Sequence, residues 1–322
     1  MKLVHVAVAV ITDADGRVLI QKRAADAHQG GLWEFPGGKV ESGESLQEAL
    51  AREINEELNI QVNASRPLIC IEHDYGDRKV LLDVHLITQW SGSLRALEGQ
   101  PLIWAHPDKL VDFDMPAADR PIVNAIQLPD EYLITPPEIT DHRSLLNAIE
   151  NLDTRRRYLL MYRVDKLHTM EHQDLLSLMA SYSHLNIMLH YQHHELLSHN
   201  KKTLYGMHFP QNKISEIMTY REAGHVGFIS AACHEANSLQ EAKSAGADFV
   251  TLSPVKATAS HPDANLLGWE QFAELARGIN LPVYALGGVG SIDLETSWNN
   301  GAQGVAGISY WSSVIGVEAN EI

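Results

Sequence analysis

Hydrophobic and polar positions alternate through residues 3 to 23, as VHVAVAVI and RVLIQKR on either side of Asp13-Ala14-Asp15-Gly16. A period of two predicts half-buried strands, and the DADG stretch reads as a hairpin turn between them. After Ser45 the period changes. Leu46, Leu50, Ile54 and Leu58 recur at helical spacing and predict a helix from roughly Leu46 to Leu58. Ser45 and Glu48 have the form of a capping box, and Asn59 suits the left-handed residue that ends a helix. Alternation returns in IEHDYGDRKVLLDVHLITQW, a second hairpin with Tyr75 to Asp77 at its turn. DMPAADRPIVNAI then reads as a loop entering a short helix. Mixed strands around one or two helices predict an α/β sandwich.

From Glu131 the pattern becomes a βα rhythm. YLITP, YLLMYRV, LNIMLHY, TLYGMHF, HVGFIS, GADFVTLSP, LPVYALGG and AQGVAGIS are eight short apolar runs, each followed by helix-like sequence or a loop. Eight such units predict a compact parallel (β/α)8 barrel. The proline and charges of QLPDE mark the junction, giving domains at 1–129 and 130–322.

The formal charge of −16 over 322 residues argues against a nucleic-acid polymer as partner, because such binding rests on cationic contacts to phosphates. A small phosphorylated ligand stays open, since one divalent cation inverts the local field of a pocket. No apolar run approaches the ~18 residues that span a bilayer, so no membrane partner is expected. LVHVAVAVI alternates too strictly for a signal peptide and lacks a cleavage motif. Cys70 and Cys233 have no metal-type spacing, which favours a reducing cytoplasm.

The acidic helix carries the chemistry. Glu53, Glu56 and Glu57 crowd one side and repel each other. Glu53 and Glu57 fall within or beside the apolar arc, and Glu56 lies at its flank. Burying such a cluster costs several kcal/mol unless cations compensate it. Arg52 can orient one carboxylate, and a hard cation, Mg²⁺ or Mn²⁺, suits the rest. The glycines at 37 and 38 allow close backbone approach, so the Gly37 carbonyl is a candidate ligand.

Gly38, Glu44, Arg52-Glu53, Ile54, Glu56-Glu57 and Ile60 closely resemble the Nudix box, with Asn59 in place of that box's second glycine. The resemblance implies hydrolysis of a nucleoside diphosphate linked to another group, with Arg52, Glu53, Glu56 and Glu57 as the catalytic set. Glu44 supports the loop. Glu98, in LEGQPLIW, resembles an acidic position that completes the metal site in the MutT branch, and an exposed loop glutamate is the alternative. KRAADAHQGGLWEFPGGK and DMPAADRPIV resemble MutT proteins that destroy 8-oxo-dGTP. By that resemblance Arg23 and Phe35 line the nucleotide pocket, His28 lies nearby, and Asp119 reads the base. Oxidation at C8 turns N7 of guanine into a donor, which a carboxylate accepts. Relatives carry asparagine there, which donates as well as accepts; an ionised Asp119 only accepts. The plainer readings make Asp119 a helix N-cap and Phe35 a core residue.

The second half resembles the thiamine phosphate synthase and TenI family, in SAACH, GADFVTLSPVKATASHPDANLLGW and LPVYALGGVGSIDLETSWNNGAQGVAGIS. That family is a small (β/α)8 barrel. Gly287, Gly288, Gly307 and Ser309 would then supply a phosphate site, with a tight turn as the alternative for the glycine pair. The family's Asn-Asp pair is replaced by His190-Tyr191, its second acidic ligand by Lys213 and a lysine by His261, which removes the reason for a cation to bind. His184, His190, His193, His194 and His199 read as loop and helix-surface residues. The expected protein is a MutT-like 8-oxo-dGTP diphosphatase that cleanses the nucleotide pool and so prevents mutation. Its barrel is catalytically degenerate and serves phosphate binding or regulation. The alternative is a hydrolase of a thiamine-related or other diphosphate, with the barrel as a sensing or docking module.

Overall fold

A computed structural model describes residues 3–165, 169–196, 204–225, 227–258 and 265–308. The chain divides into two compact units that change over between Gln127 and Leu128, with Arg277–Asn280 grouped with the first.

In the first unit, strands β1 (Leu3–Ile11), β4 (Gly37–Lys39), β5 (Ile60–Asp74) and β6 (Lys79–Gly92) form a mixed sheet in the order β4-β1-β6-β5, with β1 and β6 parallel. Strands β2 (Val18–Lys22), β3 (Trp33–Glu34) and β7 (Leu102–Ala105) form a second, antiparallel sheet. The expected first hairpin is therefore corrected. Gly16 turns the chain with φ 74°, but only the bridge Thr12–Val18 joins the two arms, and β2 leaves for the other sheet. The second hairpin forms as expected, β5 running antiparallel to β6.

The alternation along β1 explains the layers. Ala7, Ala9 and Ile11 pack beneath helix α1 (Leu46–Leu58) with Leu50, Ile54 and Leu58. Val8 and Val10 face the other way, towards helix α2 (Arg120–Gln127), with Ile122 and Val123. A sheet with both faces buried between helices is an α/β/α sandwich.

In the second unit eight parallel strands close into a barrel: β8 (Glu131–Ile134), β9 (Tyr158–Tyr162), β10 (Leu185–His190), β11 (Gly206–Phe209), β12 (Phe228–Cys233), β13 (Phe249–Leu252), β14 (Val283–Leu286) and β15 (Gly304–Gly307). Each overlaps one of the eight apolar runs of the sequence. Tyr132, Ile134, Met188, Phe249 and Tyr284 fill the interior, while the neighbouring Leu133, Leu160 and Leu189 join the core formed with the helices. That inside–outside alternation is the signature of a packed (β/α)8 barrel.

Candidate active site

Helix α1 is fixed at both ends. Ser45 Oγ accepts from the Glu48 amide at 3.3 Å while Glu48 Oε2 accepts from the Ser45 amide at 2.8 Å, a complete capping box. Asn59 ends the helix at φ 55° and ψ 33°, and its side-chain amide donates to the Ser93 carbonyl at 3.1 Å.

On this frame Arg52 organises the acids. Its guanidinium donates to both Glu44 oxygens at 2.8 Å, to Glu53 Oε1 at 2.8 Å and to the Lys39 carbonyl at 3.0 Å. Glu56 Oε2 lies at 3.4 Å. The bond from Arg52, with another from the Glu41 amide, holds the Glu44 carboxyl down at about 2. Glu44 is thereby a brace between loop and helix. The Glu53 carboxylate occupies the volume a side chain on Gly38 would fill, since a Cβ there would meet Glu53 Cδ at 2.2 Å. Gly37, at φ 145°, is pressed against the Ala7 carbonyl. Contact dictates both glycines, and at Gly37 the positive φ dictates it as well.

Glu57 is the buried acid, 9% exposed. Burial raises its carboxyl to about 7, against the opposing bonds from Gln21 and the Gly37 amide. Both donors fall on Oε2, at 3.1 and 3.2 Å. Glu53 is half-buried, whereas Glu56 and Glu98 are exposed, Glu98 close enough to push the Glu57 carboxyl further up. Among the described residues no three His, Cys, Asp or Glu side chains already form a metal cage. Mg²⁺ commonly binds through one or two carboxylates together with waters and substrate phosphates, and an oxygen-only set around a buried acid fits that mode.

A second charged cluster lies around Arg23. Its Nε donates to the His28 carbonyl at 2.8 Å, and its Nη1 is ion-paired with Glu34. His28 meets the Tyr75 ring edge-on at 5.1 Å and Asp77 at 3.7 Å. Asp119 closes a 3-10 turn, Ala117–Asp119, and is 6% exposed. Its carboxyl accepts no hydrogen bond from a described residue, so it is not serving as the cap of α2. Burial, aided by the Glu34 charge and opposed by Arg23, raises it to about 8. Asp119 therefore holds its proton far more tightly than an exposed carboxyl, and in the protonated form it donates as well as accepts. Phe35 is 3% exposed and packs with Val8, Ile20 and Ala118 in the core beneath this cluster.

Sequence reasoning missed Glu34, Gln21, Tyr75 and Gln100. An acid between Trp33 and Phe35, and a glutamine in the apolar run VLIQK, were the available signals.

In the barrel, Gly287 and Gly288 both take left-handed backbone, at φ 95° and 64°. A Cβ on either would strike the segment Pro254 to Ala257, the nearest contact being 2.4 Å from Gly288 to the Ala257 carbonyl. Close packing thus accounts for the pair without a ligand. Gly307 ends β15, and Ser309 lies outside the described residues, as do His199 and His261. Lys213 is bonded to Glu216 at 2.6 Å and stands over the Tyr191 ring at 5.2 Å, so a satisfied ion pair occupies the place of the missing acid. The surface reading of the histidines is corrected. His184 and His193 are buried, at 8% and 7% exposure, within aromatic clusters that include Tyr158 and Tyr162 respectively, and His190 is half-buried; His194 alone of those described is exposed.

The comparisons follow this division. The NUDIX domain family matches residues 7–125, and the thiamine monophosphate synthase family matches residues 131–310, more than half of the chain. The chain therefore belongs to the Nudix family through its first domain and to the thiamine monophosphate synthase family through its barrel, and it is a Nudix diphosphatase. Residues of the first domain are 37% identical over 125 positions to the CTP pyrophosphohydrolase of Escherichia coli, covering 39% of this chain and 92% of that protein. They are 36% identical over 123 positions to the 8-oxo-dGTP diphosphatase of the same organism, covering 38% of this chain and 95% of that protein. The barrel is 39% identical over 106 positions to the putative thiamine-phosphate synthase 2 of Aquifex aeolicus, covering 32% of this chain and 55% of that protein.

Proposed function

We propose that the first domain hydrolyses 8-oxo-dGTP to 8-oxo-dGMP and diphosphate, removing a mutagenic nucleotide before polymerisation. The observation that carries this reading is Asp119, a buried carboxyl beside Glu34 and Arg23 whose hold on its proton burial strengthens. Its carbonyl oxygen accepts from N7–H of the oxidised base while its hydroxyl donates to O6. Ordinary guanine presents acceptors at both atoms and satisfies only the hydroxyl. Leaving one buried partner unpaired costs about 1–3 kcal/mol.

Glu53, Glu56 and Glu57, with the Gly37 carbonyl and Glu98, are assigned to Mg²⁺ or Mn²⁺. When bound, such an ion neutralises phosphate charge and lowers the pKa of water. The chain's own residues supply position. Arg52 holds Glu53, the Gly37 amide and Gln21 hold Glu57, and Gly38 leaves room for the Glu53 carboxylate. Arg23 and His28 border the base pocket, with Phe35 as its apolar floor. Water adds to phosphorus, the P–O–P bond breaks, and diphosphate leaves.

A second reading has support in the same acid. Cytosine presents a donor at N4 beside an acceptor at N3, the same complement to a neutral carboxyl, and one relative is named for CTP. Side-by-side kcat/KM values for 8-oxo-dGTP, dGTP, CTP and thiamine diphosphate test both. A clear preference for 8-oxo-dGTP over dGTP is expected. Preference for CTP transfers the function to the cytosine reading, and equal rates on dGTP and 8-oxo-dGTP remove the base-reading role. The barrel is assigned a non-synthetic role, because the Lys213–Glu216 pair fills the position where the resemblance expects an acidic ligand; binding of a phosphorylated metabolite there rests on the family resemblance alone.

A further inference from the structure

Gln21 lies in β2 at 4% exposure, a costly position for an amide unless its hydrogen bonds are made. They are made to functional groups. Its Nε2 donates to Glu57 Oε2 at 3.1 Å, and its Oε1 accepts from Gln100 Nε2 at 3.3 Å. The second hydrogen of Gln100 Nε2 reaches the Glu57 backbone carbonyl at 3.2 Å, while Gln100 Oε1 accepts from the Glu98 amide at 3.1 Å. Around this pair the loop caps the helix. The Leu97 amide donates to the Glu57 carbonyl at 2.9 Å and the Arg95 amide to the Leu58 carbonyl at 3.0 Å, using carbonyls that a last helical turn leaves open. Gln21 also stands opposite Glu34 in the β2–β3 register.

We propose that Gln21 and Gln100 are positioning residues: a two-amide clamp that sets the Glu57 carboxylate and the Glu98 loop in one fixed relation. The inference rests on the assignment of Glu57 and Glu98 to the cation. Amides suit the task because each offers a donor and an acceptor without adding charge to a site already crowded with carboxylates. Gln100 touches Glu57 twice, through Gln21 to the side chain and directly to the backbone. Release of Gln100 therefore removes the tie on the Glu98 amide and a support of Gln21, and with it of Glu57, together.

The test uses the full chain with Gln21→Met, Gln100→Ala and the double variant. Two quantities are read: Mn²⁺ binding without nucleotide, by paramagnetic resonance of the free ion, and kcat and KM separately. Partners of metal-binding side chains typically contribute 10–100-fold, so a loss of about tenfold in Mn²⁺ affinity and in kcat is expected, with nucleotide KM changed less than about twofold. Because the two amides act as one unit, the double variant falls no further than the worse single one. Thermal unfolding of each variant separates loosening of the site from loss of fold, and Gln21→Met keeps the buried volume. Wild-type Mn²⁺ affinity and kcat in both single variants, or losses that multiply in the double one, overturn the clamp. A distinct result, Mn²⁺ binding equally to wild type and to Glu53→Gln and Glu57→Gln, overturns the cation assignment beneath it.

Discussion

Asp119 and Gly38 show how far one residue governs this site. Folded, Asp119 keeps its proton up to about 8; unfolded, it releases it at about 3.9. The native state thus carries the extra proton between those values, and stability falls as pH rises across that window. Asp119→Asn removes this contribution. The variant should gain on wild type by roughly 1–3 kcal/mol between pH 5 and pH 8 in denaturant titrations. Loss of the donor hydroxyl above about pH 8 should also raise the wild-type KM for 8-oxo-dGTP there, with no such rise in the asparagine variant. Gly38→Ala acts by volume, since the added carbon takes the place of the Glu53 carboxylate. A displacement near 1 Å in a catalytic group costs about a hundredfold, so kcat should fall by about that factor while circular dichroism stays unchanged.

At the scale of elements, α1 is the piece most fully specified by local sequence. Ser45, Glu48 and Asn59 fix its ends, and Leu50, Ile54 and Leu58 fix its buried face. Ser45→Ala should remove about 1 kcal/mol of stability, measured as a lower denaturant midpoint with unchanged slope. Local signals of this kind make the helix, the second hairpin and the eight barrel strands legible in the sequence. What escapes it is set by pairing across long separations. The β1–β2 turn has good hairpin chemistry, but β1 finds a parallel partner in β6, and no local period reports that choice. Gln21 and Glu34 escape for the same reason. Their partners lie on α1, the 97–100 loop and the opposite strand, and a glutamine or glutamate within an apolar run has no meaning until those neighbours are known.

At the scale of the whole molecule, two domains carry two families, and the cation site proposed here belongs to the first. The barrel's corresponding position holds Lys213 paired with Glu216, a compensated charge with no remaining demand for a metal. The protein should therefore form thiamine phosphate no faster than buffer, measured by product chromatography with magnesium present. Its nucleotide hydrolysis should vanish on dialysis against a chelator and return with Mg²⁺. Glu53→Gln gives the cleanest separation of the halves. It should lower nucleotide kcat by at least about a hundredfold, because an interaction needed for positioning phosphate charge is lost. The same variant should keep the wild-type calorimetric response of the barrel to inorganic phosphate or thiamine phosphate. A parallel loss of both responses from one half-buried glutamate would show that the domains share a single site, and the assignment of separate roles would then fail.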